Sequence, residues 1–456
     1  MNHRILQLEI NEISWKFLNS YQVRPEFPHI AEFFRTAKQY RSMVVDGGEM
    51  SPWVVWPTIH RGMSEKGHHI HSIGQDPSTY GGIPIWEEVR QKGKSIGIFG
   101  ALQSWPPKNP GDGGFYIPDT FSRDSQCIPS SLSPLQQLNL SLVSKNSRIR
   151  SGGYFKSLSW RALAAIPGSG VRLHTLARIA GQLFREKLDS RYCARRSIFQ
   201  NILFWDVFKS LYNHRNPPAY SSYFSNHLAS AMHRYWNYAF PEDFPVERRP
   251  KDNFHKGTLD FAMHVLDDML ADVLVWMKEN PKLTVVFVSG LGQDSIVRKR
   301  HEGTELAIRD LRRLMDRLGL PAGTYKPLLA MMPQVALEIS DEKLRNATRE
   351  CLEKLACASD FHPIQVVESG ENLCVSVSNP RGPDIEAGGL YFSGEKIAFS
   401  ELGMEVLRVE PGTAYHIPEA VFAVSGAGAE EFGQHWQDPV IPCDRVKFEL
   451  LRLLDL

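Results

Sequence analysis

Ser51 stands before Pro52 in Met50-Ser51-Pro52-Trp53, and two kinds of chemistry fit that pair. A Ser at an N-cap followed by Pro in the first turn is a helix start signal. A Ser can also be a nucleophile, but it then needs a base or a metal to activate it, and His60 is the nearest base in the sequence. Both readings stay open. Glu9 and Glu12 flank Asn11. They read as sheet-edge surface, with an oxygen-rich cation site for Mg or Ca as the alternative. His68-His69-Ile70-His71 puts imidazoles at alternating positions, although an exposed turn suits the run better. His233 and His416, each taken alone, read as ordinary hydrogen-bonded histidines.

A second kind of chemistry lies in charge. From Arg148 to Arg215 there are thirteen Lys and Arg against three acids, in a chain of net charge +1. The plain reading is a solvated helical cap. The functional one is a basic lid over an anionic substrate or a membrane surface, with Arg191, Arg195 and Arg196 as candidates to hold the anion.

The elements that must position these residues alternate between strand and helix. Ile5–Ile10 reads as a strand, the segment from Pro28 as a helix, Ser42–Val45 as a short strand, Ile85–Lys92 as a helix and Ser95–Phe99 as a buried strand. Later, Asp260–Glu279 is amphipathic over several turns, Asn280-Pro281 stops it, and Leu283–Val288 follows. That run is apolar on both faces, which belongs in the middle of a parallel sheet. Gln334–Ile339, Asp341–Leu355, Ile364–Glu368 and Leu373–Val377 give a β-α-β-β pattern, a small α+β insertion.

With 456 residues, 42% of them apolar and 23% charged, the chain has ordinary globular composition and length for a large core. Disorder and a rod are excluded, and the balanced charge argues against a nucleic-acid binder. The six cysteines show no zinc-finger spacing and read as buried thiols of a reducing compartment. No run approaches the roughly 20 apolar residues of a membrane helix, so a cytoplasmic protein is expected. P-loop, dinucleotide and nucleophile-elbow fingerprints are absent.

Several segments, taken in order, resemble the alkaline phosphatase superfamily, in particular its type I phosphodiesterase/nucleotide pyrophosphatase branch. Ser51 falls on or next to the nucleophile, and Gly62 to His68 has the spacing of the turn that follows it. His233 and Trp236 match an Asp-x3-His-x2-Trp stretch in which Ala229 stands for the Asp. His416 fits the final histidine. Asn11 falls on the first-strand Asp, and Gly290-Leu291 on an Asp-His pair. Such proteins hold two divalent metals that clamp an in-line phosphoryl displacement. Here two metal positions keep a histidine, one becomes an amide and three ligands are gone, so a two-zinc site of the ordinary kind is not expected.

The resemblance implies a three-layer α/β/α sandwich built from 1–140, 218–320 and 406–456, with a basic helical cap at 141–217 and the insertion at 321–405. It gathers Asn11, Glu12, Ser51, Gln293, His233 and His416 around one cleft. Ser51, His233 and His416 would be catalytic; Asn11, Glu12, His233 and His416 would hold a divalent metal (Zn, Mn, Mg or Ca), if any is used. Asn11, Gln293 and the three arginines would bind substrate. The implied function is hydrolysis or transfer on a phosphoester or phosphodiester, such as a sugar-phosphate or glycan-linked substrate. The alternative is a non-catalytic relative that binds a phosphorylated glycan, a lipid-linked intermediate or a protein. Peripheral membrane contact would run through the cap, and the oligomeric state is left open.

Overall fold

The computed structural model describes residues 3–47, 50–143, 166, 168–296, 304–330, 334–380, 382–408 and 412–456. Much of the basic stretch, 144–165, lies outside the described residues, as does Glu49.

Strand β1 (Arg4–Ile10) carries Leu6, Leu8 and Ile10 into one apolar layer and Ile5 into the other, so it is buried on both faces. It sits at the centre of an eight-stranded sheet with β2 (Lys38–Met43), β3 (Ile96–Phe99), β4 (Phe115–Ile117), β5 (Tyr220–Ser225) and β6 (Leu283–Val288). Beyond β6 comes β7 (Gly292–Ser295), paired antiparallel with β8 (Ala414–Ile417) outside that sheet. Then β9 (Glu419–Gly426) and β10 (Val440–Pro442) complete the eight strands, in the order β10-β2-β9-β6-β1-β5-β3-β4. β1 pairs parallel with both β5 and β6. Only β9 runs antiparallel to its neighbours, β2 and β6.

Helices cover both faces. On one lie α1 (Pro52–Arg61) and the helices Ile85–Gln91 and Val446–Leu453, around Val55, Trp56, Trp86 and Leu450. In the basic stretch, α2 (Leu173–Leu188) is followed by α3 (Arg196–Leu211). Next come α4 (His227–Ala239) and the long α5 (Lys256–Glu279). The last three pack on the other face with the helices at 15–36. α3 is a full member of this layer: Trp205 stacks on Trp276 at 5.5 Å and meets Tyr223 of β5 at 4.9 Å. The outcome is a mixed α/β body with a mostly parallel central sheet between two helical layers.

The stretch Val335–Val377 has its own core. Val335–Glu338, Ile364–Ser369 and Asn372–Val377 join Lys326–Leu328 in a four-stranded antiparallel sheet, backed by the helix Glu342–Glu353. Leu337, Leu352, Leu373 and Val375 fill it.

Candidate functional site

At the carboxyl end of β1 the strand's alternation breaks. Gln7, Glu9 and Asn11 point toward the α1 layer, but Glu12 takes a left-handed φ of 67°, unusual for a residue with a Cβ. Its N–H is held by the Ser289 carbonyl at 2.9 Å. The turn buries the Glu12 carboxylate against α4 and β8. There His233 Nε2 lies 2.8 Å from Glu12 Oε2 and His416 Nε2 lies 3.3 Å from the same oxygen. Glu12 and Glu9 are therefore not sheet-edge residues. β1 is the central strand, and both carboxylates are buried.

Each imidazole is aimed by its other nitrogen. His233 Nδ1 meets the Ala414 carbonyl at 3.0 Å, and His416 Nδ1 meets the Met50 carbonyl at 2.6 Å. A carbonyl only accepts, so both Nδ1 atoms carry the hydrogen, and in the neutral ring each Nε2 presents a lone pair. Two lone pairs and a carboxylate oxygen thus converge, with the three ligand atoms within 4.8 Å of one another. Only a cation or an added proton reconciles such a set. Burial raises the Glu12 carboxyl's pKa, but the charges and hydrogen bonds of His233 and His416 outweigh it and hold the group well below its ordinary value.

The frame behind the trio is specific. Trp236 N–H is taken by Thr413 Oγ1 at 2.8 Å instead of continuing the helix, and α4 kinks at Tyr235, where φ is −127°. Thr413 N–H in turn donates to the His233 carbonyl at 2.7 Å. Gln293 faces His416 across the β7–β8 pair. Its Nε2 donates to Glu12 Oε2 and, at 3.3 Å, to the Ala229 carbonyl, while its Oε1 is buried without a partner. Gln293 thus touches the predicted metal ligand, next to the alanine that replaces an acid.

Asn11, expected among the metal and substrate residues, has its amide engaged by its neighbours. Trp56 Nε1, a donor only, donates to Asn11 Oδ1 at 2.8 Å. That fixes the amide, whose Nδ2 donates to Glu12 Oε1 and to Asn226 Oδ1, both at 2.8 Å. Trp56 also fills the space beside Gly290. With φ of 72°, a Cβ on Gly290 would lie 3.0 Å from the indole.

Ser51 caps α1, with Oγ accepting from Trp53 N–H at 3.4 Å. Its chain neighbour Met50 is the residue that orients His416, so Ser51 is one residue from a group that frames the trio, at a helix N-terminus with no acid in the first turn. His60 is not its base. Nine residues along a helix is roughly 13 Å, and the ring is buried at the other end of α1, 2.9 Å from Glu9 Oε1. His68 also departs from the exposed turn expected of it: it is buried, 3.1 Å from Thr58 Oγ1.

Two of the cap arginines are already engaged. Arg191 is bound by Asp189 at 2.7 Å and Asp252 at 3.2 Å, and Arg196 by Glu186 at 2.7 Å. Arg195 lies on the rings of Tyr192, Phe254 and Phe261 and donates to Thr258 Oγ1 at 3.3 Å. These contacts run to Glu186, Asp189, Asp252 and Thr258.

No protein-family model matches the chain, and no curated protein matches it. Solved structures do, over nearly the whole length. Murine ectonucleotide pyrophosphatase/phosphodiesterase 5 has 10% identity and a TM-score of 0.41, covering 99% of this chain and 95% of that one. Phosphonoacetate hydrolase from Sinorhizobium meliloti 1021, in complex with phosphonoacetate, has 11% identity and a TM-score of 0.43, covering 99% and 96%. A mutant TAB5 alkaline phosphatase with Mg bound has 10% identity and a TM-score of 0.40, covering 99% and 97%. An alkaline phosphatase and a nucleotide pyrophosphatase/phosphodiesterase, the two kinds of protein the sequence resembles, are thus among the similar structures. At these identities and scores the likeness carries no ligand set or mechanism to this chain.

Proposed function

We propose that the chain is a phosphoester hydrolase or phosphotransferase that uses one divalent cation, with Glu12, His233 and His416 as its protein ligands and Ser51 as nucleophile. The observation that carries this reading is the convergence of Glu12 Oε2 and two Nε2 lone pairs, each ring locked by a carbonyl on Nδ1. The donor set fits a borderline cation such as Zn better than Mg or Ca, because two of the three atoms are imidazole nitrogens. When bound, the cation would supply Lewis-acid stabilisation of anionic oxygens.

The chain's own residues would do the rest. Asn11 holds the free carboxylate oxygen of Glu12, so that Oε2 stays aimed at the imidazoles. Ser51 Oγ would form a bond to phosphorus as the ester P–O bond breaks, its hydroxyl proton passing to the departing alkoxide so that it leaves as the alcohol; water or an acceptor alcohol would then cleave the phosphoserine ester. The start of α1 favours the anionic group at that point. Glu12 follows the carboxyl end of β1, the end of parallel strands at which α/β sheets place their ligands.

The test combines metal content with turnover. Protein purified without chelator should carry about one equivalent of cation by inductively coupled plasma mass spectrometry, and His233→Ala should lose it. With that cation, Ser51→Ala should lower turnover of aryl phosphate mono- and diesters on the order of a thousandfold. Unchanged turnover in Ser51→Ala would remove the nucleophile. A second reading, a non-catalytic binder of phosphorylated ligands, draws on Trp56 and Gly290 filling the place of the lost ligands; it gains if cation binds and no ester is turned over.

A further inference from the structure

Helix α2 has a face that the layered body does not use. At about 100° per residue, Leu173, Ala177, Ala180, Phe184 and Leu188 fall in one sector roughly 80° wide. Leu173, Phe184 and Leu188 are 84%, 64% and 73% exposed. Beside this sector, on the flank toward α3 and α5, lies a cavity of about 460 Å³, into which Arg178, Gln182, Arg185, Arg195, Phe199 and Phe261 face.

The cavity is built for an anion. The nearby acids Glu186 and Asp189 are taken by Arg196 and Arg191. Arg178, Arg185 and Arg195 have no carboxylate within ion-pair distance among the described residues, although Asp268 is near enough to Arg178 to feel its charge. Arg195 is held in place by Thr258 and by the rings of Tyr192 and Phe261, and Arg178 lies over Phe261. Gln182 is 3% exposed; its Nε2 donates to Glu186 and to the Tyr192 carbonyl, and its buried Oε1 has no partner. Three guanidinium groups match the charge and the several oxygens of a phosphate monoester.

The geometry points to a seat for a lipid-borne phosphate: α2 lies along an anionic bilayer, its apolar sector reaches the acyl boundary, and the three arginines close on the headgroup. The occupant is argued from the juxtaposition. A free phosphate needs the arginines alone, whereas an apolar sector next to them is what an interfacial helix carries. Arginine at the edge of such a sector sits at headgroup depth. No helix among the described residues is long and apolar enough to cross a membrane, so this is contact with one leaflet. The inference does not depend on the reading of the Glu12 trio.

Flotation of the full chain with phosphatidylcholine vesicles, with and without phosphatidic acid, tests it. Binding is expected only with phosphatidic acid. The combined Arg178→Gln, Arg185→Gln and Arg195→Gln variant should weaken it roughly a hundredfold. Arg178→Gln with Arg185→Gln, which leaves Arg195 on its rings, keeps the test sound should the triple variant misfold. Phe184→Asn with Leu188→Asn, both exposed, should weaken flotation about tenfold and leave binding of glycerol phosphate unchanged. Three results would overturn the proposal: no flotation with phosphatidic acid, equal flotation of the folded arginine variants, or arginine-dependent binding of glycerol phosphate without vesicle binding. The last would give the pocket to a soluble phosphate.

Discussion

Two carboxylate–imidazole contacts lie three residues apart, Glu9 on β1 and Glu12 in the turn just past its end, and they are built differently. At Glu9, one imidazole meets the acid: His60 Nε2 is 2.9 Å from Oε1, Gln7 Nε2 donates to the same oxygen at 3.0 Å, and His60 Nδ1 has no partner. That ring is free to place its hydrogen on Nε2 and donate it, so a hydrogen bond satisfies the contact without a cation. At Glu12, both rings have spent their Nδ1 hydrogens on carbonyls, and bare nitrogens face the acid. The difference teaches that burial and pairing alone do not make a metal site. The bond on the far nitrogen decides it.

Removing a member from each contact should separate the two roles. His416→Ala or Glu12→Gln is expected to abolish cation binding, with affinity reduced well beyond the roughly hundredfold of an outer-shell change, while the cation-free protein melts close to the wild type. Glu9→Ala should do the reverse. It leaves His60 in the core without its hydrogen-bond partner at a loss of about 1–3 kcal/mol, seen in urea unfolding, and leaves cation affinity unaltered. If Glu9→Ala also lost the cation, the two contacts would be one network and the distinction would fail.

His227 supplies a fourth imidazole, this one with no carboxylate at all. Its Nδ1 meets Ser225 Oγ at 2.6 Å and its Nε2 meets the Ala262 carbonyl at 3.2 Å. Burial pushes its pKa down to about 4 from 6.5, against the pull of that carbonyl. Between those values the unfolded chain binds the extra proton, so stability rises with pH. The contribution is complete above pH 6.5 and is lost as the pH falls to about 4, a loss of about 3 kcal/mol. Unfolding of His227→Gln, compared with wild type at neutral pH and near pH 4, should show a flatter acid limb.

Much of the frame was legible because periodicity reports burial. Leu283–Val288 reads as a central strand and is β6, and the helix before it ends at Glu279 as its amphipathic pattern does. Ser51 as a cap was also readable from Pro52. The misreadings share a cause, which is that sequence spacing hides partners. Glu12 looks like surface because nothing in the pattern says that an acid at the strand end will turn inward at a positive φ. Arg191 and Arg196 look free until Asp189 and Glu186 close on them. The carbonyls of Met50 and Ala414, which make the trio what it is, are backbone atoms and leave no mark in residue type.

The smallest expected effect tests the far-atom argument at the carboxylate instead of the rings. Asn11 Nδ2 ties down Glu12 Oε1, and Trp56 in turn fixes the Asn11 amide. Asn11→Ala removes no ligand. It frees the carboxylate to rotate and leaves the indole N–H buried without an acceptor. Cation affinity should fall about 10- to 100-fold, the range for an outer-shell partner. Trp56→Phe should give a smaller part of the same loss, because Asn11 keeps its bonds to Glu12 and Asn226 but is no longer held in one orientation. Competition with a metallochromic chelator measures both. Wild-type affinity in Asn11→Ala would mean that the two imidazoles alone set the geometry, and Glu12 would then be a charge balance and not an oriented ligand.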